Sequence, residues 1–172
     1  MFIRFQRKNV INVAAFFIIV STIVMYAKEE GIVGRTQKNK KGCTCHNEVP
    51  STDVLVSISG PDTLRVGQSA VYAVTISSPF IKAAGTNIAA SDGELFPVSR
   101  DLKKLKGELT HTSPKYSSSG KVTFQFSYSA PPNTGEQSIY ASGNVVDMNG
   151  KKTGDSWNRA SIKTISIMNK KS

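Results

Sequence analysis

Apolar and polar residues alternate in short runs along most of the chain, and each run is closed by Gly, Pro, Ser, Asn or Asp. Val54, Val56 and Ile58 alternate with polar neighbours in DVLVSIS, which stops at Gly60-Pro61. Tyr72, Val74 and Ile76 share one face of AVYAVTIS. The clearest run is KVTFQFSYS, with Val122, Phe124, Phe126 and Tyr128 on one side and Thr123, Gln125 and Ser127 on the other. The turn Pro131-Pro132-Asn133-Thr134-Gly135 ends it, and EQSIYASGNVV opens a further strand. In ASIKTISIM the phase slips between Ile162 and the pair Ile165 and Ile167, which predicts a bulge or burial on both faces. A period of two is the mark of half-buried strands. About seven such strands, with no long amphipathic helix between them, predict two antiparallel sheets packed face to face. The one helix candidate in this part is Asp101 to Gly107, too short to stand without packing.

The first 27 residues have another pattern. MFIRFQRKN carries Arg4, Arg7 and Lys8 without an acid, and an apolar run extends from Ile11 to Ala27. A cationic flank ahead of an apolar stretch is a targeting segment, which orients the N-terminus to the cytoplasm. The run is at the short end of the ~17–25 residues that span a bilayer. Met25 is bulky for the −3 position of a cut after Ala27, so a cleaved signal peptide and a retained hydrophobic helical anchor are both open. Either one exports the rest of the chain to the periplasm or cell surface, with tethering to the inner membrane as one outcome. The expected organisation is a signal or anchor over residues 1–27, a basic linker over 28–50 and a β-sandwich over 51–169.

Composition narrows the function. In 172 residues, 22 Lys and Arg face 12 Asp and Glu, giving a net charge of +10. The excess lies forward: Met1 to His46 holds eight basic residues and two acids. Arg35, Lys38, Lys40 and Lys41 read as a solvated linker beside a membrane or an acidic surface, and no aromatic is interleaved with them to stack on bases. Nucleic acid is therefore not expected as a partner. About 120 residues of sandwich leave no room for a two-domain cofactor enzyme. Two cysteines one residue apart cannot staple distant parts of a fold, so apolar burial must supply the core.

Two clusters could carry chemistry. Gly42-Cys43-Thr44-Cys45-His46 is one spacer short of the C-x-x-C-H at which two thiols add to haem vinyl groups and the adjacent His ligates the iron. Three readings suit Cys43, Cys45 and His46: single haem attachment through Cys45 with His46 axial, a local Cys43–Cys45 disulfide or unligated thiols, and a copper or zinc site using both thiolates and His46. The second cluster is His111 in ELTHTSP, the other histidine of the chain. It is either a strand-end residue that bonds a neighbour or the second ligand of a metal held by His46, with Met148 and Met168 as thioether candidates. No nucleophile elbow or phosphate-binding glycine loop is present. Asp147 to Asp155 lacks the closing Glu of a calcium loop and reads as a hairpin turn through Asn149-Gly150. Trp157 reads as a core or rim aromatic.

The stretch Glu108 to Val145 resembles the C-terminal half of a reelin (Reeler) domain. It has a Thr110-His111 ahead of a small polar loop, then an aromatic-alternating strand, then Ala130-Pro131-Pro132 and a strand ending in small residues. Gly31-Ile32-Val33-Gly34, Cys43 to His46, Gly143-Asn144 and Gly154-Asp155 extend the resemblance, over Gly31 to Ile167, to bacterial exported proteins of the reelin-like choice-of-anchor type. The resemblance implies an immunoglobulin-like sandwich outside the cytoplasm, with Cys45 and His46 as a haem attachment and His111 as a site residue near it. Eukaryotic reelin domains use disulfides for which no Cys exists here beyond Cys45. In some animal proteins the domain accompanies membrane cytochrome domains. The expected function is an exported or anchored module, not a turnover enzyme. On one reading it carries one c-type haem and passes electrons to protein partners at the membrane or cell surface. On the other it is an adhesion or assembly module with the Cys pair structural or metal-binding.

Overall fold

The computed structural model describes residues 31–44, 47–149 and 154–170. The hydrophobic helix expected over residues 11–27 lies outside them, and among the described residues no helix is long and apolar enough to cross a membrane. The chain is an all-β, immunoglobulin-like sandwich. Its twelve described strands are β1 Leu55–Ser59, β2 Thr63–Arg65, β3 Ser69–Ser77, β4 Ala83–Ala90, β5 Glu94–Pro97, β6 Leu102–Leu105, β7 Glu108–His111, β8 Lys115–Tyr116, β9 Lys121–Ser129, β10 Gly135–Val146, β11 Ser156–Arg159 and β12 Lys163–Met168. The smaller sheet has the order β1-β3-β9-β5. The larger has the order β2-β12-β10-β4-β7-β6, with β11 on β10 and β8 on β4. All pairings are antiparallel except β2 with β12.

The alternating runs become the inner faces. Val56, Tyr72, Val74, Ile76, Val122, Phe124, Phe126 and Tyr128 leave the smaller sheet and meet Ile88, Leu109, Ile139, Ala141, Val145 and Ile165 of the larger one. Tyr72 stacks on Phe126 with ring centroids 5.8 Å apart and meets Tyr128 edge-on at 6.0 Å. Each buried phenol keeps its polar tip satisfied, Tyr72 donating to Pro61 O at 2.9 Å and Tyr128 to Asp92 O at 3.0 Å.

Burial pushes both hydroxyls up to about 12, helped at Tyr72 by the neighbouring Tyr128 and Asp62, and at Tyr128 by Asp92. The folded state thus holds these protons more tightly than the unfolded chain, whose phenols titrate near 10.0. Their contribution is complete below pH 10 and drains away as the pH rises towards 12. Urea midpoints are expected to fall across that window, with a shallower fall in Tyr72→Phe. Equal slopes in the two proteins would remove Tyr72 from this account.

Three local expectations change. Asp101 to Gly107, the helix candidate, is instead β6 and its turn into β7: Leu105 pairs with Glu108, leaving Lys106 and Gly107 at φ 50° and 82°. Positive φ at both loop residues is the geometry of a tight hairpin, which a helix cannot use. No bulge interrupts β12, whose register with β10 runs unbroken from Gly135–Ile167 to Ile139–Lys163. Ile162 precedes the strand and stays exposed, so the phase slip in the sequence was a strand boundary. Finally, the segment from Gly31 to Thr44 is packed on the sandwich.

Candidate functional site

All eight residues of β4 are buried, in the run AAGTNIAA, because the strand is covered on both faces. The core covers one side. Across the other lies a strap, the segment from Gly31 to Thr44, whose backbone is bonded by side chains and strand ends of the larger sheet. Gly31 N–H donates to His111 O at 3.2 Å, Gly34 N–H to Glu108 Oε2 at 2.8 Å and Arg35 N–H to Asn87 Oδ1 at 2.8 Å. Glu108 also accepts from Asn39 Nδ2 at 3.1 Å and Asn87 Nδ2 at 2.9 Å. Thr36 is fully buried, and Lys38 Nζ donates to Ala90 O at 2.5 Å. The expectation of a free linker therefore fails for the Arg35 backbone and the Lys38 ammonium, which bond the larger sheet, while Lys38, Lys40 and Lys41 all remain exposed.

The strap delivers the cysteine motif to this face. A Cβ on Gly42 would collide with the Trp157 ring, standing 2.7 Å from its Cζ2 and closer still to Cη2 and Cζ3. Only glycine lets the chain cross the indole there. Cys43 Sγ donates to Ser142 Oγ on β10 at 3.5 Å. Beyond the motif, Asn47 O accepts from Trp157 Nε1 at 2.7 Å, and Ser51 N–H donates to Trp157 O at 2.8 Å. The four residues Cys43 to His46 are thus bracketed by two contacts with one buried indole. Cys45 and His46 lie outside the described residues.

His111 ends β7, and its ring lies on Gly85 of β4, where a Cβ would stand 2.6 Å from Nε2 and 2.7 Å from Nδ1. Nδ1 sits 3.0 Å from Thr86 N and 3.1 Å from Thr86 O. The proton decides which bond forms. With Nδ1 bare, it accepts from Thr86 N–H. With Nδ1 protonated, it donates to Thr86 O and Nε2 keeps the lone pair a metal would use. Burial holds the imidazole below the ordinary histidine range, against the backbone bond at Thr86 and with a small push from Lys103. The ring is therefore neutral near pH 7, as a ligand must be.

Sheet register relates the two seats. Ser142, under Cys43, is opposite Asn87; Gly85, under His111, is two residues away on the same strand and opposite Asn144. Such diagonal neighbours have Cα atoms about 7–8 Å apart. Cys43 and His111 thus occupy adjacent positions on one face although 68 residues separate them in the sequence. The thioether candidates are elsewhere. Met148 is exposed beyond the end of β10. Met168 is exposed beside an open groove of about 680 Å³ that Arg65, Gln68 and Lys170 also line. Among the described residues no group of three or more His, Cys, Asp or Glu side chains could hold a metal. Trp157, Ser142 and Gly85 form the seats, and sequence reasoning missed the role of all three. The signal available was the single Trp, placed in a strand immediately after a polar loop.

No family model matches the chain, and no curated protein matches it. Among solved structures, it is similar to the native conformation of Escherichia coli alpha-2-macroglobulin, at 17% identity and a TM-score of 0.41 over 69% of this chain. The chain spans 7% of that macroglobulin. It is also similar to the PKD domain of an M14-like peptidase from Thermoplasmatales archaeon SCGC AB-540-F20, at 16% identity and a TM-score of 0.37, covering 68% of this chain and 94% of that one. A family 123 glycoside hydrolase from Clostridium perfringens matches at 9% identity and a TM-score of 0.35, over 69% of this chain and 28% of the hydrolase.

Proposed function

We propose that this protein is an exported, non-catalytic β-sandwich module that carries one covalently attached c-type haem and exchanges electrons with protein partners at the membrane or cell surface. The observation that supports it is the placement of the Cys43 and His111 seats as diagonal neighbours on one sheet face, with the cysteine loop anchored at both ends. Export is supported by the basic and apolar opening of the sequence. Cys45 would supply the thioether, and His46 and His111 would be the nitrogen ligands that hold the iron. Two features of His111 support that role: Gly85 accommodates the imidazole ring, and in the Nδ1–H tautomer the ring would donate to Thr86 O and keep the Nε2 lone pair for a metal. When bound, haem supplies a one-electron centre, and the protein sets its potential through ligands and burial.

Expression with a c-type maturation system provides the test. A Soret band that survives acid-acetone extraction is expected in the parent chain. His111→Ala should keep the covalent band and turn the iron high-spin. A colourless protein lighter than its reduced form by two hydrogens would instead assign Cys43 and Cys45 to a disulfide and the chain to the adhesion class.

A further inference from the structure

The three most exposed large apolar side chains among the described residues, Phe80 at 74%, Tyr116 at 71% and Leu55 at 68%, lie at one end of the sandwich. Leu55 opens β1 opposite Ser77, the last residue of β3. Tyr116 closes β8 opposite Ala83, the first residue of β4. Phe80 is in the turn that joins those two strands, where Ile81 N–H donates to Ser78 O at 3.4 Å. Two exposed lysines complete the rim: Lys82, whose carbonyl accepts from Ser117 N–H at 2.8 Å, and Lys121, opposite Ser77. Asp53 and Asp147 stand at the same end, so charge alone selects no partner.

An exposed apolar cluster is a docking surface, and the course of the chain selects what it docks on. Gly31 is buried and donates to His111 O, level with Thr86 of β4. From there the strap advances to Asn87 and Ala90, away from the Phe80 end. Thr86 is three residues from Ala83, which is roughly 10 Å along a strand. In the sequence only Lys28, Glu29 and Glu30 separate Gly31 from Ala27, the end of the apolar run. Four residue steps reach ~14 Å at most, so a bilayer that kept that run would lie within this distance of Gly31. The Phe80 end is then close enough to reach the headgroup layer, ~5–7 Å deep. Aromatic rings beside lysines suit that layer: the rings take the boundary between acyl chains and headgroups, and the ammonium groups take the phosphates.

We propose that residues 1–27 stay in the bilayer and that the Phe80 end of the sandwich rests on its surface, with Phe80 and Tyr116 in the headgroup layer and Lys82 and Lys121 at lipid phosphates. This rests on the export reading above and needs no haem. The test uses the full chain in vesicles of phosphatidylethanolamine and phosphatidylglycerol, with and without bromine on the acyl chains. Trp157 is the one tryptophan of the chain and is fully buried, so the parent supplies the background emission. Phe80→Trp is expected to add a blue-shifted emission that brominated lipid quenches. Met168→Trp, at the opposite end of the larger sheet, should emit as in water and escape quenching. No quenching in Phe80→Trp, or equal quenching in both variants, would overturn the docking end and leave the apolar cluster to a protein partner. Mass spectrometry of the membrane-extracted chain should find residues 1–27 present, and a chain that begins at Lys28 would overturn the inference while leaving export intact. Protease added outside spheroplasts should digest the sandwich; a protected sandwich would overturn the export reading and this inference with it.

Discussion

Trp157→Ala is expected to lower stability by about 3–5 kcal/mol, the range for removing a large buried aromatic, and to release the cysteine loop together with it. The indole is fully buried, touches Gly42 on one side and donates to Asn47 O on the other. Losing it opens a cavity and removes both brackets of Cys43 to His46. Urea unfolding reads the first effect, and the rate at which a thiol reagent reaches Cys43 reads the second. Trp157→Phe separates them: it keeps most of the packing and loses the Nε1 bond, at a cost of about 0.5–1.5 kcal/mol. A Trp157→Ala protein that unfolds at the parent midpoint, with no faster thiol reaction, would show that the loop is held by something else.

The second large effect is at Gly85. Gly85→Ala places a methyl in the space of the His111 ring, and neither partner has room to yield. The ring is bound to Thr86, and β4 is paired along both edges. Overpacking of this kind costs about 1–3 kcal/mol. Displacement of the ring should return His111 from its depressed value towards the ordinary 6.5, visible in an NMR titration. The same shift fixes the sign for stability. A histidine depressed in the fold contributes stability that is complete above 6.5 and lost as the pH falls through its folded value. Gly85→Ala should therefore be less stable at pH 7 but lose less on acidification. An unchanged His111 titration in this variant would show that the ring does not depend on the glycine.

The strands that the sequence reveals are those with one face in the core and one in solvent. KVTFQFSYS is legible because Val122, Phe124, Phe126 and Tyr128 alternate with residues the solvent can reach. AAGTNIAA is illegible for the opposite reason: with the core beneath and the strap above, β4 has no polar face to set a period. Asp101 to Gly107 was readable as a short helix, and the positive φ values at Lys106 and Gly107 settle the hairpin. Of the site, the residue types were readable in Cys43-Thr44-Cys45-His46 and His111. Their seats were not, because Ser142, Gly85 and Trp157 matter through register and close approach, which leave no trace in residue type.

The bracket around the cysteine motif also imposes an order on biogenesis. Cys43 meets Ser142 across 99 residues of sequence, and Trp157 reaches Asn47 across 110. Contacts of that separation close late, because the intervening chain must first be made and its loops paid for in entropy. At about 5–20 residues per second of synthesis, roughly 5–20 s pass between the emergence of the motif and that of its seat. During that interval Cys43 stands on an undocked segment, open to any enzyme that modifies it, and docking on Ser142 then leaves it half-buried. The far end of the chain thus acts as a timer on chemistry at the near end.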